Sequence, residues 1–171
     1  CKHQFDVCIS VCDESLYDSE GALISKTIYK KENNQETVSN YFSDGSLDTE
    51  EVITYSDDGS VESIVRFSSI SDGLETDFFR YTDGKLTEVT TYNQDKQVIN
   101  RLVIKYDSVG NISRLSDYEV LKKFGTTVNE LAAQTDFVFD NTGYGFTDTL
   151  HGCLAMLAHH AMNNNNSLHH R

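Results

Sequence analysis

A short phrase, in which an aromatic residue precedes a turn and an aliphatic residue follows it, recurs along the chain. Its copies begin at residues 17, 41, 55, 81, 92 and 106 and read YDSEGAL, YFSDGSL, YSDDGSV, YTDGKL, YNQDKQV and YDSVGNI. A weaker copy, SISDGL, begins at residue 69. Turn signals at such short, regular intervals are typical of antiparallel strands and not of helices. The repeat therefore predicts a mainly β protein, an antiparallel up-and-down meander of about eight to ten strands that forms a curved sheet or a partly closed barrel.

The spacing within the repeat predicts where the aromatic side chains lie. Residues an even number apart in a strand face the same side. The aliphatic residue after a turn and the next aromatic residue are an even number apart, as for Leu23 and Tyr29, and only Leu74 and Tyr81 need a bulge to fit. We therefore expect one inner face, either packed as core or lining a ligand cavity, that carries Tyr29, Tyr55, Phe67, Tyr81, Tyr92, Tyr106 and Tyr118.

The residues between these positions argue against a lipid-facing barrel. In one strand they read Ile24, Lys26, Ile28, so charge interrupts the apolar residues. A membrane-spanning barrel has an unbroken apolar outer band, in which a charged residue costs about 2–4 kcal/mol. We therefore expect a water-exposed sheet whose middle stripe is covered by a helix or a partner.

The last part of the chain favours helix. TTVNELAAQ, residues 126–134, places helix formers behind a threonine cap, and FTDTLHGCLAMLAHHAM, residues 146–162, spaces Leu150, Leu154 and Leu157 along one helical stripe.

The predicted organisation has three parts. They are a lipid-anchored lead segment at 1–16, a single β-meander domain at 17–162 with a C-terminal helical segment at about 126–134 and 147–162, and a polar tail at 163–171.

Composition excludes several classes of partner. The formal charge of -13 repels phosphate backbones, so nucleic acid and anionic lipid surfaces are not expected partners. No apolar run approaches the roughly 18 to 20 residues of a membrane-spanning helix.

The sequence contains no recognised catalytic motif. A G-x-S-x-G elbow, a phosphate-binding G-x-x-x-x-G-K and a G-x-G-x-x-G after a strand are all missing. His159 and His160 lack the i, i+4 partner and carboxylate of a metal site. We therefore predict neither an enzyme nor a metal or cofactor site, with a hydrolase of unrecognised site as the remote alternative.

The cysteines carry two predictions. Cys1 stands where a lipoprotein has its lipid-bearing thiol after signal cleavage, so we predict lipid attachment there. Two strand residues four apart lie about 13 Å from each other, which disfavours a bridge between Cys8 and Cys12. Two alternatives remain for these cysteines. Either Cys8 or Cys12 forms a disulfide with Cys153, or the cysteines are small buried thiols without a bridge.

The Tyr-Asp-x-x-Gly rhythm is similar to the YD repeats of Rhs and teneurin shells. The cysteine at position 1, the run of Y-x-x-x-G-x-L hairpins and the segment rich in Leu and Gly near the end resemble a group of Bacteroidetes lipoproteins of unknown function with a porin-like fold. The resemblance covers most of residues 17–162. It implies a lipid-anchored outer-membrane protein that faces either the cell surface or the periplasm.

These observations lead to one functional expectation and one alternative. We expect a lipid-anchored, non-enzymatic outer-membrane lipoprotein that acts as a binding or accessory subunit of a larger envelope complex. The alternative is a small β-barrel that binds an apolar ligand within its tyrosine- and phenylalanine-lined interior.

Overall fold

The computed structural model describes residues 9–71 and 73–138, which form one antiparallel sheet of ten strands. The strands lie side by side in chain order, so the predicted up-and-down meander is confirmed. The first and last strands do not pair with each other, and the sheet formed by the described residues is therefore open. The strands are β1 (Ile9–Tyr17), β2 (Leu23–Glu32), β3 (Gln35–Phe42), β4 (Leu47–Tyr55), β5 (Val61–Ser68), β6 (Gly73–Thr82), β7 (Lys85–Asn93), β8 (Val98–Tyr106), β9 (Ile112–Lys123) and β10 (Thr126–Asp136).

Each copy of the repeated phrase closes one hairpin. Its aromatic residue lies at or next to the end of a strand, its aliphatic residue lies at or next to the start of the following strand, and the two are directly opposite in the register. Such cross-strand pairs of an aromatic and an aliphatic side chain stabilise a sheet by about 0.2–1 kcal/mol each. The pairs are Tyr17–Leu23, Tyr41–Leu47, Tyr55–Val61, Tyr81–Leu86, Tyr92–Val98 and Tyr106–Ile112.

A β-bulge follows each of these closing pairs. In β7, for example, Leu86 is opposite Tyr81 and Glu88 is opposite Arg80, so Thr87 is an extra residue. A bulge adds one residue to its strand and reverses the alternation of faces beyond it. Two residues that are an even number apart across the bulge therefore face opposite sides.

The prediction of a single aromatic inner face is wrong for this reason. The register places Tyr29, Tyr55, Tyr81 and Tyr106 on one face, and it places Phe67, Tyr92 and Tyr118 on the other. We call the first face, which also carries Ile64, Val89 and Leu102, the core face. We call the second face, which also carries Phe78, Arg80 and Arg101, the cationic face.

The closing pairs divide between the two faces by their position along the strands. The β4–β5, β6–β7 and β8–β9 hairpins turn at one end of the sheet and point their closing pairs to the core face. The β1–β2, β3–β4 and β7–β8 hairpins turn at the other end and point theirs to the cationic face. The apolar side chains of the core face are consequently concentrated toward the first end.

The predicted helix at 126–134 is wrong, because these residues lie in β10, which pairs with β9 along its length. The turn between the two strands is Phe124-Gly125, with φ of 51° and 80°. Two consecutive residues with positive φ make the two-residue turn that matches the twist of a hairpin. Pairing with β9 thus overrides the helix propensity of Leu131 and the alanines beside it.

Several predictions lie outside the described residues, namely those for Cys1, Cys8, Cys153, the helical segment at 147–162 and the tail at 163–171. The predicted lead segment at 1–16 overlaps β1, since this strand begins at Ile9. Within 9–71 and 73–138, no helix is long and apolar enough to cross a membrane.

Candidate functional site

The core face carries a compact aliphatic cluster. Leu86, Val89, Leu102 and Ile104 are 3–6% exposed and pack together on β7 and β8. Phe79 and Tyr81 on β6, Tyr106 on β8, and Ile112 and Leu115 on β9 pack around them. Val61 on β5 is 1% exposed on the same face. The cluster therefore extends across four neighbouring strands, from β6 to β9, and Val61 adds buried apolar surface on β5.

A buried ion pair borders the cluster toward the middle of the strands. Arg66 Nη2 lies 2.5 Å from Asp77 Oδ2, and the Thr91 hydroxyl donates a hydrogen bond of 2.7 Å to Asp77 Oδ1. Asp77 is 7% exposed. A buried carboxylate is tolerated when its lone pairs are satisfied in this way. The arrangement is structural: both oxygens of Asp77 bind neighbouring side chains of the sheet.

A shallow depression lies on the core face above β1, β2 and β3. Its volume is about 170 Å³, and Cys12, Tyr29, Lys31, Glu36 and Val38 are among the residues that line it. The Cys12 thiol is free and exposed. Pockets that hold small organic ligands usually measure about 300–1,000 Å³. This depression is below that range.

The ion pair of Lys31 and Glu36 forms the polar side of the depression, and Tyr55 on β4 contacts Glu36 from beside it. Lys31 Nζ donates to Glu36 Oε1 at 2.5 Å, and the Tyr55 hydroxyl donates to Glu36 Oε2 at 3.0 Å. These two hydrogen bonds, with that from Lys31 the stronger influence, lower the pKa of Glu36. Burial and the neighbouring Glu36 carboxylate raise the pKa of Tyr55. Glu36 is therefore a charged acceptor and Tyr55 a neutral donor at neutral pH, and the two opposite pKa shifts make proton transfer from the Tyr55 hydroxyl to Glu36 less favourable.

The cationic face carries an aromatic pair of one exposed and one half-buried ring. The rings of Phe78 on β6 and Tyr92 on β7 meet edge to face, with centroids 5.5 Å apart. Phe78 is 49% exposed, and Leu74, four residues earlier on β6, is 42% exposed. An edge-to-face pair of rings contributes about 0.5–1.5 kcal/mol of stability beyond that from burial, so the contact favours one orientation of each ring relative to the other. The pair is thus an ordered apolar patch in water.

Arginines border this patch. Arg101 Nη2 donates to Glu88 Oε2 at 2.7 Å, and Arg80 Nη2 lies 3.8 Å from Glu88 Oε1. The Thr90 hydroxyl donates to Glu88 Oε1 at 3.0 Å. The hydrogen bond from Arg101, and then that from Thr90, lowers the pKa of Glu88 against the effect of its burial. Two guanidinium groups thus share one carboxylate, and the group keeps a net positive charge beside the aromatic rings.

The two faces differ in charge. Cations outnumber anions on the cationic face, and anions outnumber cations on the core face, although the whole chain carries a formal charge of -13. The bulge residues Asp48 and Glu62, and Lys85, whose Nζ lies over the Tyr106 ring, are left out of this comparison. The remaining strand cations of the cationic face are Lys26, Lys30, Arg80, Arg101, Lys105, Arg114 and Lys122, and its anions are Asp13, Glu32, Glu50, Glu88 and Asp136. On the core face the cations are Lys31, Arg66 and Lys123, and the anions are Glu14, Glu36, Glu51, Glu75, Asp77, Asp117, Glu119 and Glu130.

The predicted site residues do not form one site. Tyr81 and Tyr106 pack around the aliphatic cluster, Tyr29 lines the depression, and Tyr92 belongs to the aromatic pair on the opposite face. Among the described residues, no three His, Cys, Asp or Glu side chains are grouped as metal ligands. Sequence reasoning missed Phe78, because the residue falls outside the repeated phrase.

No protein-family model and no curated protein matches this chain. Among solved structures, the chain is similar to a porin-like protein from Bacteroides uniformis ATCC 8492, with 16% sequence identity and a TM-score of 0.34. The alignment covers 74% of this chain and 54% of that chain, so the match spans about half the length of the porin-like protein.

Proposed function

We propose that this protein is a non-enzymatic binding subunit of a cell-envelope complex and that it contacts an acidic partner protein through its cationic face. The observation that supports this role is the ordered pair of Phe78, which is 49% exposed, and the half-buried Tyr92 beside Arg80 and Arg101. The outer-membrane location and the lipid anchor at Cys1 remain predictions from the sequence.

The composition of this patch is that of a protein interface. Aromatic residues and arginine are enriched among the residues that contribute most to binding, and they cluster near the centre of an interface. Phe78 offers apolar area that its neighbours leave uncovered, while Arg101 is already ordered by its bond to Glu88. An ordered patch loses less conformational entropy on binding than a mobile one.

The charge of the patch indicates the charge of the partner. Arg80 and Lys105 are exposed on the cationic face, and the turns and the core face hold most of the acids. An acidic partner surface would therefore be attracted to this face and repelled by the rest of the chain. The difference in charge between the two faces would also direct the partner to the cationic face of the sheet.

The alternative role, storage of an apolar ligand on the core face, has weaker support. The aliphatic side chains of that face pack against one another, and the depression beside Tyr29 is small for an organic ligand. A ligand bound there would contact Lys31 and Glu36 and would not need the cationic face.

Site-specific photocrosslinking in intact cells tests the proposal. We expect p-benzoylphenylalanine in place of Phe78 to yield one discrete adduct with another protein after irradiation. The matched control is Phe42, which is 42% exposed on the core face, and from which we expect no such adduct.

The double variant Arg80→Glu, Arg101→Glu in the same photocrosslinking protein should abolish the adduct, because it reverses the charge of the patch. An adduct of equal yield from Phe42, or one that survives the charge reversal, would contradict a role for the cationic face. Copurification of lipid with the purified protein, together with loss of the adduct at both positions, would favour the ligand-binding alternative.

A further inference from the structure

The core face lacks a second layer in the described part of the chain. Every contact between elements there joins strands that are neighbours in the sheet. Yet Val61 and Ile104 are 1% and 3% exposed, while Val65 and Val103, on the cationic face of the same strands, are only half-buried. An apolar sheet face of this size is stable in water when another layer of structure packs against it.

We propose that residues 146–162 of this chain form that layer, as an amphipathic helix packed on the core face. This inference is independent of the proposed function, which concerns the opposite face.

The segment has one apolar stripe. At 100° per residue, Phe146, Leu150, Cys153, Leu154 and Leu157 lie on one side of a helix, and His159 lies on the opposite side. A stripe of this width suits a helix with one buried side. The core face supplies a matching apolar surface of aliphatic and tyrosine side chains.

The position and length of the chain allow this packing. The Phe137 amide donates to the Ser113 oxygen, so the chain leaves β10 at the end of the sheet where Tyr55, Tyr81 and Tyr106 close their hairpins onto the core face. Residues 139–145, when extended, reach up to about 25 Å. The three strand spacings from β10 to β7 amount to only about 14 Å.

The size of the segment matches the size of the cluster. A helix of residues 146–162 is about 25 Å long. Together with Val61 on β5, the cluster gives an apolar surface that extends across five strands to Leu115 on β9, which corresponds to about 19 Å. One helix therefore suffices to cover it.

Charge is compatible with this arrangement. Between residues 146 and 162 the sole acid is Asp148, while three histidines, His151, His159 and His160, are present. Anions outnumber cations on the core face, as shown above. A segment rich in acidic residues would be repelled by this face, whereas residues 146–162 contain a single acidic residue.

Cysteine crosslinking in the full chain tests the inference. In a background of Cys1→Ser, Cys8→Ser and Cys12→Ser, the remaining native thiol is Cys153, which belongs to the stripe and lies near the middle of the segment. Thr91 and Thr90 are adjacent on β7 and face the core and the cationic side respectively. Under mild oxidation we expect Thr91→Cys, and not Thr90→Cys, to form an intramolecular disulfide with Cys153, identified by peptide mass spectrometry.

Thiol reactivity provides a second measurement that leaves the sheet unchanged. Cys153 in the triple-serine background should react with a maleimide at least tenfold more slowly than the thiol of His159→Cys in a Cys153→Ser version, and the rates should become equal in denaturant. This comparison decides the question alone if Thr91→Cys does not fold.

Three outcomes would overturn the inference. A disulfide between two chains would identify a second copy as the occupant of the core face. Equal disulfide yield from Thr90→Cys and Thr91→Cys, or equal native reactivity at positions 153 and 159, would show that the stripe does not pack there.

Discussion

The Tyr106 hydroxyl, at the end of β8, donates a hydrogen bond of 2.8 Å to the backbone oxygen of Leu86, at the start of β7. This bond joins two hairpins of the meander, because Leu86 pairs with Tyr81 and Tyr106 pairs with Ile112. The tyrosine that begins one copy of the repeated phrase thus contacts the aliphatic residue that ends the copy on the neighbouring hairpin.

Tyr106→Phe should lower the free energy of unfolding by about 0.5–1.5 kcal/mol, since it removes one intramolecular hydrogen bond and leaves the ring. Urea denaturation measures the change. Tyr55→Phe is the control, because its hydroxyl bonds the side chain of Glu36 at the border of the depression, where water can replace it. A larger loss for Tyr55→Phe than for Tyr106→Phe would contradict this assignment.

Deletion of Thr87 should destabilise the protein strongly. Without this bulge residue, either Leu86 or Val89 must turn to the cationic face, although both are now buried. Removing one large aliphatic side chain from a core costs about 2–5 kcal/mol. The control Thr87→Ala keeps the bulge and loses the hydroxyl contact with the Arg80 oxygen, so it should cost only about 1 kcal/mol. Similar denaturation midpoints for the two variants would show that the bulge does not set the faces.

Lys96→Gly should stabilise the protein. Lys96 has a φ of 58° in the β7–β8 turn, at the position where the turn of YSDDGSV has Gly59 with a φ of 84°. A side chain in the left-handed region costs about 1–2 kcal/mol, and the greater entropy of unfolded glycine offsets part of the gain. We expect a net increase of about 0.5–1 kcal/mol in the free energy of unfolding. A decrease would mean that the Lys96 side chain makes a stabilising contact in the folded state.

The β4–β5 turn should contribute to the loss of fold stability at low pH. Hydrogen bonds from the Ser56 hydroxyl and then the Ser60 amide lower the pKa of Asp58 to about 2. A carboxyl with a lowered pKa stabilises the fold fully above its unfolded pKa of about 4, and this contribution is lost as the pH falls toward the folded value.

The difference in Tm between the unmodified protein and Asp58→Asn, measured by thermal unfolding at a series of pH values, should therefore be constant above about pH 5 and shrink between about pH 4 and pH 2. A difference that stays constant over this interval would show that the charge of Asp58 does not contribute.

Asp77→Ala should cost about 1–3 kcal/mol, because it leaves the guanidinium of Arg66 and the Thr91 hydroxyl without their acceptor. The Arg66 side chain is 34% exposed, so solvent screens the unpaired charge and keeps the cost below that of a fully buried pair. A double-mutant cycle with Arg66→Ala, followed by urea denaturation, should give a coupling of about 1 kcal/mol. Additive effects would assign the cost of Asp77→Ala to the threonine bond instead.

The strands with strong local turn signals could be predicted from the sequence. Asp58-Gly59 and its equivalents specify where the chain reverses, because Asp binds the turn backbone and Gly adopts positive φ at little cost. The turn at Phe124-Gly125 lacks this signal, and β10 was therefore mistaken for a helix. Its strand conformation depends on hydrogen bonds to β9, a partner that local propensity does not include.

The order of the hairpins and the residues that close them follow from local sequence, since the aromatic and aliphatic ends of each phrase pair across a few residues of chain. The face that each pair occupies depends on how the strands align in the folded sheet. A single bulge residue such as Thr87 reverses the alternation, and a bulge is a property of the register between two strands, not of the spacing within one. The separation of the aliphatic cluster from the Phe78–Tyr92 patch follows from that register, because it turns the closing pairs at opposite ends of the sheet to opposite faces.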